Sequence, residues 1–379
     1  MYYLIEKETE QQVKNHFKTL DISGVGYETS TPKVVWSKPV RIVAKFNVTS
    51  TEEATKILGN GNGNIANIRI DGVKQSTIVN EFTFSETGEH TVEYELKSQE
   101  EMLEAGTGYK VRAQQFTGCL NIISVIIPNE VNSIGSYAFS GCSGLTQVNI
   151  PDNVTEIGEN AFENCSGLTS INIPDNVTEI GKHAFSNCSS LTNIKIPDGV
   201  TIIERFLLDG CTSLTSCTIG SGVTTIKESA FCQCGFASFT IPNSVTTIER
   251  DVFRFTKLTS IDIPPMVTFL NQYVFGACTA LTQVTLPDGF ETIGGNAFRD
   301  CSGLTSIIIP SGVTTVAGYS FYNCRSLRSV TCYPVTPPTS GYDAFYNCPC
   351  TIYVPAESVD AYKEAQGWST YASKIQAIP

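Results

Sequence analysis

The chain has 379 residues, of which 41% are hydrophobic and 16% charged, and its formal net charge is −12. This length and apolar content predict a folded protein with a buried core and exclude an intrinsically disordered chain. The acidic balance argues against a nucleic-acid partner, because phosphate recognition needs clustered lysine and arginine. No stretch reaches the roughly 18 to 20 apolar residues that cross a bilayer, so no transmembrane segment is predicted.

The N-terminal segment, residues 1–36, is polar and has Pro32 near its end. This composition predicts a short helix or strand followed by a linker. The first ten residues are too acidic, and their apolar part is too short, for a secretory signal. Two explanations stay open: the chain is a mature form that has lost its signal, or it is unsecreted or exported by an unconventional route.

Residues 37–110 have a different pattern, in which apolar and polar residues alternate. The alternating apolar positions are Val40, Ile42, Ala44 and Phe46, then Ile68 and Ile70, then Phe82 and Phe84, then Val92, Tyr94 and Leu96. With turn residues at Asp71-Gly72 and Thr87-Gly88, they predict four strands of a small antiparallel β-sandwich. The module weakly resembles the immunoglobulin-like modules that precede repeat arrays, and we expect it to act as spacer and N-terminal cap.

The run Gly59-Asn-Gly-Asn-Gly-Asn64 is glycine-rich, as phosphate-binding loops are. It lacks the Lys-Ser/Thr that follows in such loops and the strand-to-helix context. We interpret it as a flexible loop of the module.

Residues 111–354 contain a motif that recurs about every 23 residues, as in Cys165 to Phe185 and Cys301 to Phe321. A proline closes each short apolar run, and Gly220 replaces it once; the prolines are Pro128, Pro151, Pro174, Pro197, Pro242, Pro264, Pro287 and Pro310. In each copy an L-x-x-I-x-I pattern predicts a short strand, and the A-F-x-x-C pattern suggests one helical turn. The fold class predicted is an α/β solenoid, a leucine-rich-repeat-like, right-handed stack of about ten 22–24-residue coils with parallel strands.

Three residue types recur in fixed columns along this array. The phenylalanine column, predicted as the spine of the core, is Phe139, Phe162, Phe185, Leu208, Phe231, Phe253, Phe275, Phe298, Phe321 and Phe345. The leucine column is Leu145, Leu168, Leu191, Leu214, Leu258, Leu281, Leu304 and Leu327. The cysteine column is Cys119, Cys142, Cys165, Cys188, Cys211, Cys234, Cys278, Cys301, Cys324 and Cys348, with Thr256 in one coil.

The fixed register of the cysteines favours buried packing over disulfides, since side chains in one column run parallel and do not point at each other. Cys217 and Cys332 take inward strand positions and are predicted core residues. Cys232 and Cys350 are then the more exposed candidates. Neither has the histidines or second cysteine pair of a zinc site, so no metal is predicted.

The pattern L-x-x-I-x-I-P-x-x-V-x-x-I-G-x-x-A-F-x-x-C resembles the BspA-like leucine-rich repeats of bacterial surface proteins. Residues 355–379, with Gly367-Trp368, are similar to the C-terminal cap of such repeats in Bacteroides-type proteins. There we expect a capping helix and a tail that cover the last coil with Val359, Tyr362 and Trp368. The resemblance implies a cell-surface or extracellular adhesion module, and extracellular-matrix proteins such as fibronectin or fibrinogen are partners of this family.

Catalytic patterns are sparse. The three histidines are His16, His90 and His183, and no G-x-S-x-G nucleophile elbow occurs. Glu156 and Glu179 recur at one offset of the repeat, which is typical of solvated turn positions and not of an acid/base pair. The sequence therefore predicts a protein that is not an enzyme and needs no cofactor.

The residues predicted to face outward from the strands form a polar ribbon with little charge. Its central row is Asn149, Asn172, Lys195, Thr218, Thr240, Asp262, Thr285 and Ile308. This ribbon contains none of the Tyr, Trp or Arg that usually anchor interfaces. A second candidate contact region, in the last coils, combines Tyr319 and Tyr322 with Arg325 and Arg328.

The function predicted is a non-enzymatic, cell-surface or secreted recognition module that binds a host or matrix protein, or a glycan, through the solenoid surface. A structural spacer or a fibre component without its own ligand is the alternative. A glycan-directed enzyme is a further one, and it would need a deep cleft with two converging carboxylates. The sequence does not indicate the oligomeric state.

Overall fold

A computed structural model describes residues 39–97 and 109–379. The predicted N-terminal segment, residues 1–36, lies outside these residues. Within them, no helix is both long enough and apolar enough to cross a membrane.

The N-terminal module is built on one antiparallel sheet and a separate two-stranded ribbon. Its strands are β1 (Arg41–Val48), β2 (Thr55–Lys56), β3 (Ile65–Ile70), β4 (Val73–Lys74), β5 (Glu81–Phe82) and β6 (Gly88–Leu96). Strand β6 pairs with β1 on one side and with β3 on the other, and β2 pairs with β5. The predicted antiparallel module is present, but the expected second sheet is only this short ribbon.

The turn between β3 and β4 is the tight hairpin that Asp71-Gly72 predicts. Ile70 pairs directly with Val73, and the backbone φ angles are 48° at Asp71 and 79° at Gly72. Positive φ at both central residues is the geometry that a two-residue hairpin requires, and Asp-Gly supplies it with little strain.

The repeat region is a solenoid in which most coils contribute two short parallel strands. The strands of the first row, which follow the leucine column, are β8 (Ile122–Ile126), β10 (Gln147–Asn149), β13 (Asn193–Lys195), β15 (Ser216–Thr218), β18 (Ser260–Asp262), β20 (Gln283–Thr285), β22 (Ser306–Ile309), β24 (Ser329–Cys332) and β26 (Thr351–Val354). Those of the second row are β7 (Tyr109–Val111), β9 (Val131–Ile134), β11 (Glu156–Ile157), β12 (Glu179–Ile180), β14 (Ile202–Ile203), β16 (Thr225–Ile226), β17 (Thr247–Ile248), β19 (Phe269–Leu270), β21 (Thr292–Ile293), β23 (Thr315–Val316) and β25 (Thr339–Ser340).

Pairing in both rows joins equivalent positions of neighbouring coils. In the first row Ile194 pairs with Cys217, and in the second row Ile157 pairs with Ile180. The predicted stack of parallel strands is confirmed. The second row was not predicted. The sequence pattern placed Glu156 and Glu179 in turns, whereas each is the first residue of a two-residue strand.

A pair of tight turns takes the place of the expected helical turn. Asn160 and Asn164, two residues before and two after Phe162, have φ angles of 56° and 58°. The amide of Phe162 donates to Ala184 O of the next coil at 2.8 Å. In a helical turn this amide would donate to a carbonyl of its own coil. The two tight turns direct it to the next coil instead, so the backbone hydrogen bond joins neighbouring coils.

The phenylalanine column is the spine of the core, as predicted. Successive rings are nearly parallel, and the centroids of Phe162 and Phe185 lie 5.5 Å apart at an interplanar angle of 3°. Phe116 extends the column by one coil, since its ring stacks on Phe139 at 5.1 Å. Offset stacking of this kind buries a large apolar area in every coil.

The cysteine column serves the backbone as well as the core. Each thiol of this column from Cys142 onward donates to a backbone carbonyl oxygen in the preceding coil. The acceptor is the residue of the phenylalanine column, and the sulfur–oxygen distances are 2.9 to 3.3 Å. In the coil that lacks cysteine, Thr256 Oγ1 donates within its own coil, to Phe253 O at 2.8 Å.

The N-terminal module closes the first coil of the solenoid. Strand β1 pairs antiparallel with β8, so one six-stranded sheet runs from the module into the first strand row. Tyr94 contacts the ring of Phe116 at 5.1 Å, which covers the end of the phenylalanine column.

The glycine-rich run lies against this first coil. The amide of Gly59 donates to Gln115 O at 2.6 Å. A Cβ atom on Gly61 would lie 1.9 Å from Ala113 O, so the close approach of the two backbones requires glycine there.

The C-terminal end is covered by one α helix, α1 (Val359–Glu364), two 3-10 helices (Ala356–Ser358 and Ser369–Lys374) and strand β27 (Ile375–Ala377), which pairs with β26. Tyr362 and Trp368 are fully buried, and Val359 is half-buried. The indole Nε1 of Trp368 donates to Pro338 O at 2.7 Å. These aromatic side chains shield the last coil from water.

Candidate recognition surface

The polar ribbon lies on the first strand row, where the alternation places it. All eight residues of its central row are exposed, from Asn149 to Ile308. Ile308 is the apolar one, with 56% of its surface exposed. Lys195 forms an ion pair with Asp175 at 2.8 Å, so one of its few charges is already paired.

Exposed threonines beside this ribbon serve the backbone. Thr192 Oγ1 donates to Thr169 O at 3.1 Å, and Thr282 Oγ1 donates to Thr259 O at 2.9 Å. The same bond recurs between neighbouring coils at Thr215. Much of the hydroxyl content on this side therefore has a structural explanation.

Aromatic and arginine side chains concentrate on the turns of the later coils. We call this surface the C-terminal turn ridge; it consists of Arg254, Phe255, Tyr273, Arg299, Tyr319, Tyr322, Tyr342 and Tyr346. Every one of these residues is exposed or half-buried.

The centre of the ridge is a stack of three side chains from consecutive coils. The guanidinium carbon of Arg299 lies 4.8 Å from the ring centroid of Tyr322, and Tyr346 stacks on Tyr322 at 5.0 Å. Tyr319 contacts Tyr322 at 5.7 Å, edge to face. The sequence analysis missed Arg299, although its position directly after Phe298 matches that of Tyr322 after Phe321.

A second arginine sits at the other end of the ridge. The guanidinium carbon of Arg254 lies 4.7 Å from the ring centroids of both Phe255 and Tyr273. Together with Arg299 and Asp300 these residues line a cleft of about 330 Å³.

Arg325 and Arg328 lie at the corner between the ridge and the first strand row. They line an open concavity of about 590 Å³ together with Asn347, Cys348, Pro349 and Lys374. Arg325 Nε donates to Asn323 Oδ1 at 2.8 Å. The stack on Tyr322 thus involves Arg299, while Arg325 and Arg328 form a separate basic site nearby.

The cysteines lie behind these surfaces. Hydrogen bonding with Cys324 lowers the pKa of Cys348, which lines the concavity but is only 2% exposed. All fourteen are free and buried. Cys232 and Cys350, expected to be the more exposed, are only 8% and 2% exposed, because neighbouring coils cover both. Burial raises the pKa of Cys142 and of Cys211 to about 12, which keeps both thiols protonated at neutral pH.

The two histidines in the described part of the chain have ordinary neighbours. His183 stacks on Phe206 at 4.6 Å, and His90 Nδ1 lies 2.7 Å from Asp71 Oδ2. Across residues 39–97 and 109–379, no three His, Cys, Asp or Glu side chains come together as metal ligands.

Comparison with known families identifies the repeats. The family model described as "BspA type Leucine rich repeat region" matches residues 109–237 and 224–352, with six copies of the repeat. A search of curated proteins finds no match.

Similar solved structures include three bacterial proteins. A leucine-rich repeat protein from Bacteroides ovatus is 23% identical, with 79% of this chain and 90% of that chain covered and a TM-score of 0.44. A leucine rich cell surface protein from Faecalibacterium prausnitzii is 24% identical, with 71% and 86% covered and a TM-score of 0.40. The pneumococcal vaccine antigen PcpA is 16% identical, with 71% and 82% covered and a TM-score of 0.39.

The match to the family model agrees with the columns described above. It begins at the first strand of the solenoid, β7, and ends within β26, two residues before that strand does. Because it covers well over half of the sequence, the chain belongs to the BspA-type leucine-rich-repeat family.

Proposed function

We propose that this chain is a non-enzymatic recognition module at the cell surface or outside the cell. It binds a host or matrix protein, fibronectin and fibrinogen being the first candidates, or a glycan. Its contact surface is the C-terminal turn ridge. The N-terminal module and the C-terminal helices serve to cap the solenoid and keep it rigid.

The observation that carries this proposal is the stack of Arg299, Tyr322 and Tyr346 on the outside of the molecule. Tyrosine and arginine dominate the energetic centres of protein interfaces, because they offer large contact area together with hydrogen-bonding groups. Tyr342 and Tyr346 are 72% and 52% exposed.

Backbone conformation supports the same surface. Tyr273 and Tyr319 have φ angles of 55° and 60°, at a turn position where Asn160 and Asn296 stand in other coils. Asparagine adopts this left-handed region readily, whereas a bulky side chain pays a strain energy there. Tyr137 and Phe206 take the same position in earlier coils, so the strained turn favours a contact on the ridge only because the aromatic residues cluster there.

The polar ribbon is the weaker candidate, because it contains no tyrosine, tryptophan or arginine, the threonines beside it are engaged with the backbone, and Lys195 is paired. A flat polar surface of this kind suits a solvated face.

The experiment is a retention assay with the full chain on immobilised fibronectin, fibrinogen and a panel of neutral and anionic glycans. An unrelated repeat protein of similar net charge is the control. We expect saturable retention on at least one surface. Retention no better than the control on every surface would contradict the proposal and favour a spacer or fibre component.

A further inference from the structure

The concavity at the corner of the last coils gathers three cationic side chains from separate segments. Arg325 and Arg328 come from the coil of Phe321, and Lys374 comes from the second 3-10 helix. In the part of the chain that the structure describes, none of the three forms an ion pair. In a chain with net charge −12 this is an unneutralised basic site.

Two of the three cations, Arg325 and Lys374, are held in place by neutral partners. Lys374 Nζ donates to Cys348 O at 2.7 Å, and Arg325 Nε donates to Asn323 Oδ1 at 2.8 Å. Asn347 Nδ2 donates to the same Asn323 oxygen at 2.7 Å. These bonds use one donor each of Arg325 and Lys374, so their remaining N–H groups and the guanidinium of Arg328 can serve an anion.

The stack on the ridge ends beside this site. Tyr346 directly precedes Asn347, which lines the concavity, and the ring of Tyr346 is stacked on Tyr322 on one side. Among the described residues no further ring or cation is stacked on Tyr346, and 52% of its surface is exposed. The site therefore offers an aromatic ring and three cations within one short stretch of surface.

We infer that this corner binds an anionic oligosaccharide, one that carries sulfate or carboxylate groups. The anionic groups bind Arg325, Arg328 and Lys374, and the apolar face of a sugar ring packs on Tyr346. The inference rests on the recognition role proposed above and names a ligand class for the basic concavity at the end of the ridge.

An acidic peptide is the competing occupant. Peptide recognition usually adds apolar pockets or a free strand edge to the charge contacts. The lining of the concavity has neither: apart from Pro349 and the buried Cys348 it is polar or charged. An oligosaccharide needs only the ring and the cations.

The test is calorimetric titration of the full chain with a defined sulfated oligosaccharide, with the unsulfated oligosaccharide of equal length and with oligoglutamate. The variants are the double variant Arg325→Ala/Arg328→Ala and the single variant Tyr346→Ala. Lys257→Ala is the matched control, because Lys257 is exposed at the same repeat position as Arg325, in an earlier coil. Circular dichroism checks that each variant is folded.

We expect binding of the sulfated ligand alone. The double variant should weaken it at least about tenfold, since two charge contacts are lost. Tyr346→Ala should weaken it several-fold, and Lys257→Ala should leave it unchanged.

Two results would overturn the inference. The first is no binding of the sulfated ligand, and the second is equal binding of oligoglutamate together with insensitivity to Tyr346→Ala. Either result rules out an anionic oligosaccharide as the ligand of this corner. If a matrix protein is still retained in the assay described above, the proposed recognition role is unaffected.

Discussion

The thiol of Cys142 donates a hydrogen bond to the carbonyl oxygen of Phe116, 3.0 Å away in the preceding coil. The bond joins the two residue columns that define the repeat. The same carbonyl also accepts from the amide of Cys119 at 3.1 Å. Inside the core it has no access to water, so the thiol supplies its second hydrogen bond. The cysteine column is thus explained by backbone hydrogen bonding as well as by packing.

The loss of stability when one of these cysteines is replaced should therefore depend on whether the new side chain is a hydrogen-bond donor. We expect Cys188→Ala to lower the free energy of unfolding by about 1–3 kcal/mol, because Phe162 O loses one of its two donors and the smaller side chain leaves a void in the core. Cys188→Ser keeps a hydroxyl donor at this position and should cost less. Urea denaturation compares the two, and a serine variant less stable than the alanine variant would contradict the hydrogen-bond explanation.

The native protein should resist thiol-modifying reagents. Burial raises the pKa of Cys211 to about 12. Hydrogen bonding with Cys324 lowers the pKa of Cys348, but this thiol is buried, as are the other thirteen. We expect almost no alkylation by iodoacetamide at pH 8 in the folded state and fourteen modifications in denaturant, as counted by intact-mass spectrometry. Rapid stoichiometric labelling of the folded chain would show that a cysteine is accessible.

The close approach between the glycine-rich run and the first coil predicts that a side chain at position 61 destabilises the fold. Gly61→Ala would push a Cβ against Ala113 O and should destabilise the fold by about 1–3 kcal/mol. Gly289→Ala is the control, because a Cβ there meets nothing within 4 Å. Thermal denaturation of both variants tests this, and an equally small effect at the two sites would mean that the loop does not pack there.

The pair of His90 and Asp71 should make the N-terminal module pH-dependent. Burial lowers the pKa of His90, but the hydrogen bonds to Asp71 and to Glu86 O outweigh it, and the pKa is raised. Burial raises the pKa of Asp71, but hydrogen bonds from His90 and the Thr91 amide lower it overall. The pair is therefore fully charged between the lowered pKa of Asp71 and the raised pKa of His90.

Its stabilisation should be present near pH 6 and should be lost as the pH rises through the raised pKa of His90. We expect wild type to exceed His90→Gln by up to about 1 kcal/mol at pH 6, with a smaller difference at pH 9. Denaturation curves at several pH values measure this. A difference that stays constant over that range would rule out the charged pair.

The sequence predicted most of the solenoid because its periodicity sets the register of every coil. The phenylalanine column could be recognised from spacing alone, and only Phe116 was missed, at the irregular first coil. The second strand row could not be predicted, since two residues such as Glu156 and Ile157 carry no alternation. The two turns around Phe162 have the residue spacing of a helical turn. They differ from it in the hydrogen bond of the Phe162 amide, which goes to Ala184 O of the next coil.

The candidate site was harder to predict than the fold. Proximity in sequence suggested that Tyr322 would meet Arg325, but the ring contacts Arg299 of the preceding coil. In a solenoid the neighbours of a residue lie one repeat away, so contacts follow the columns. A search for arginine and tyrosine at equal repeat positions would have found this pair.

The most direct test of the proposed recognition surface compares the ridge with the ribbon on one ligand surface. The ridge variant is Tyr322→Ala/Tyr346→Ala, and the ribbon variant is Thr218→Ala/Thr285→Ala; all four side chains are exposed or half-buried, so both variants should fold. The measurement is the dissociation constant of each full-length variant on fibronectin, fibrinogen or the sulfated glycan, whichever retains the wild type. The ridge variant should bind at least about tenfold more weakly, and the ribbon variant should stay within about twofold of the wild type. Loss of binding in the ribbon variant with full binding in the ridge variant would contradict the proposed surface.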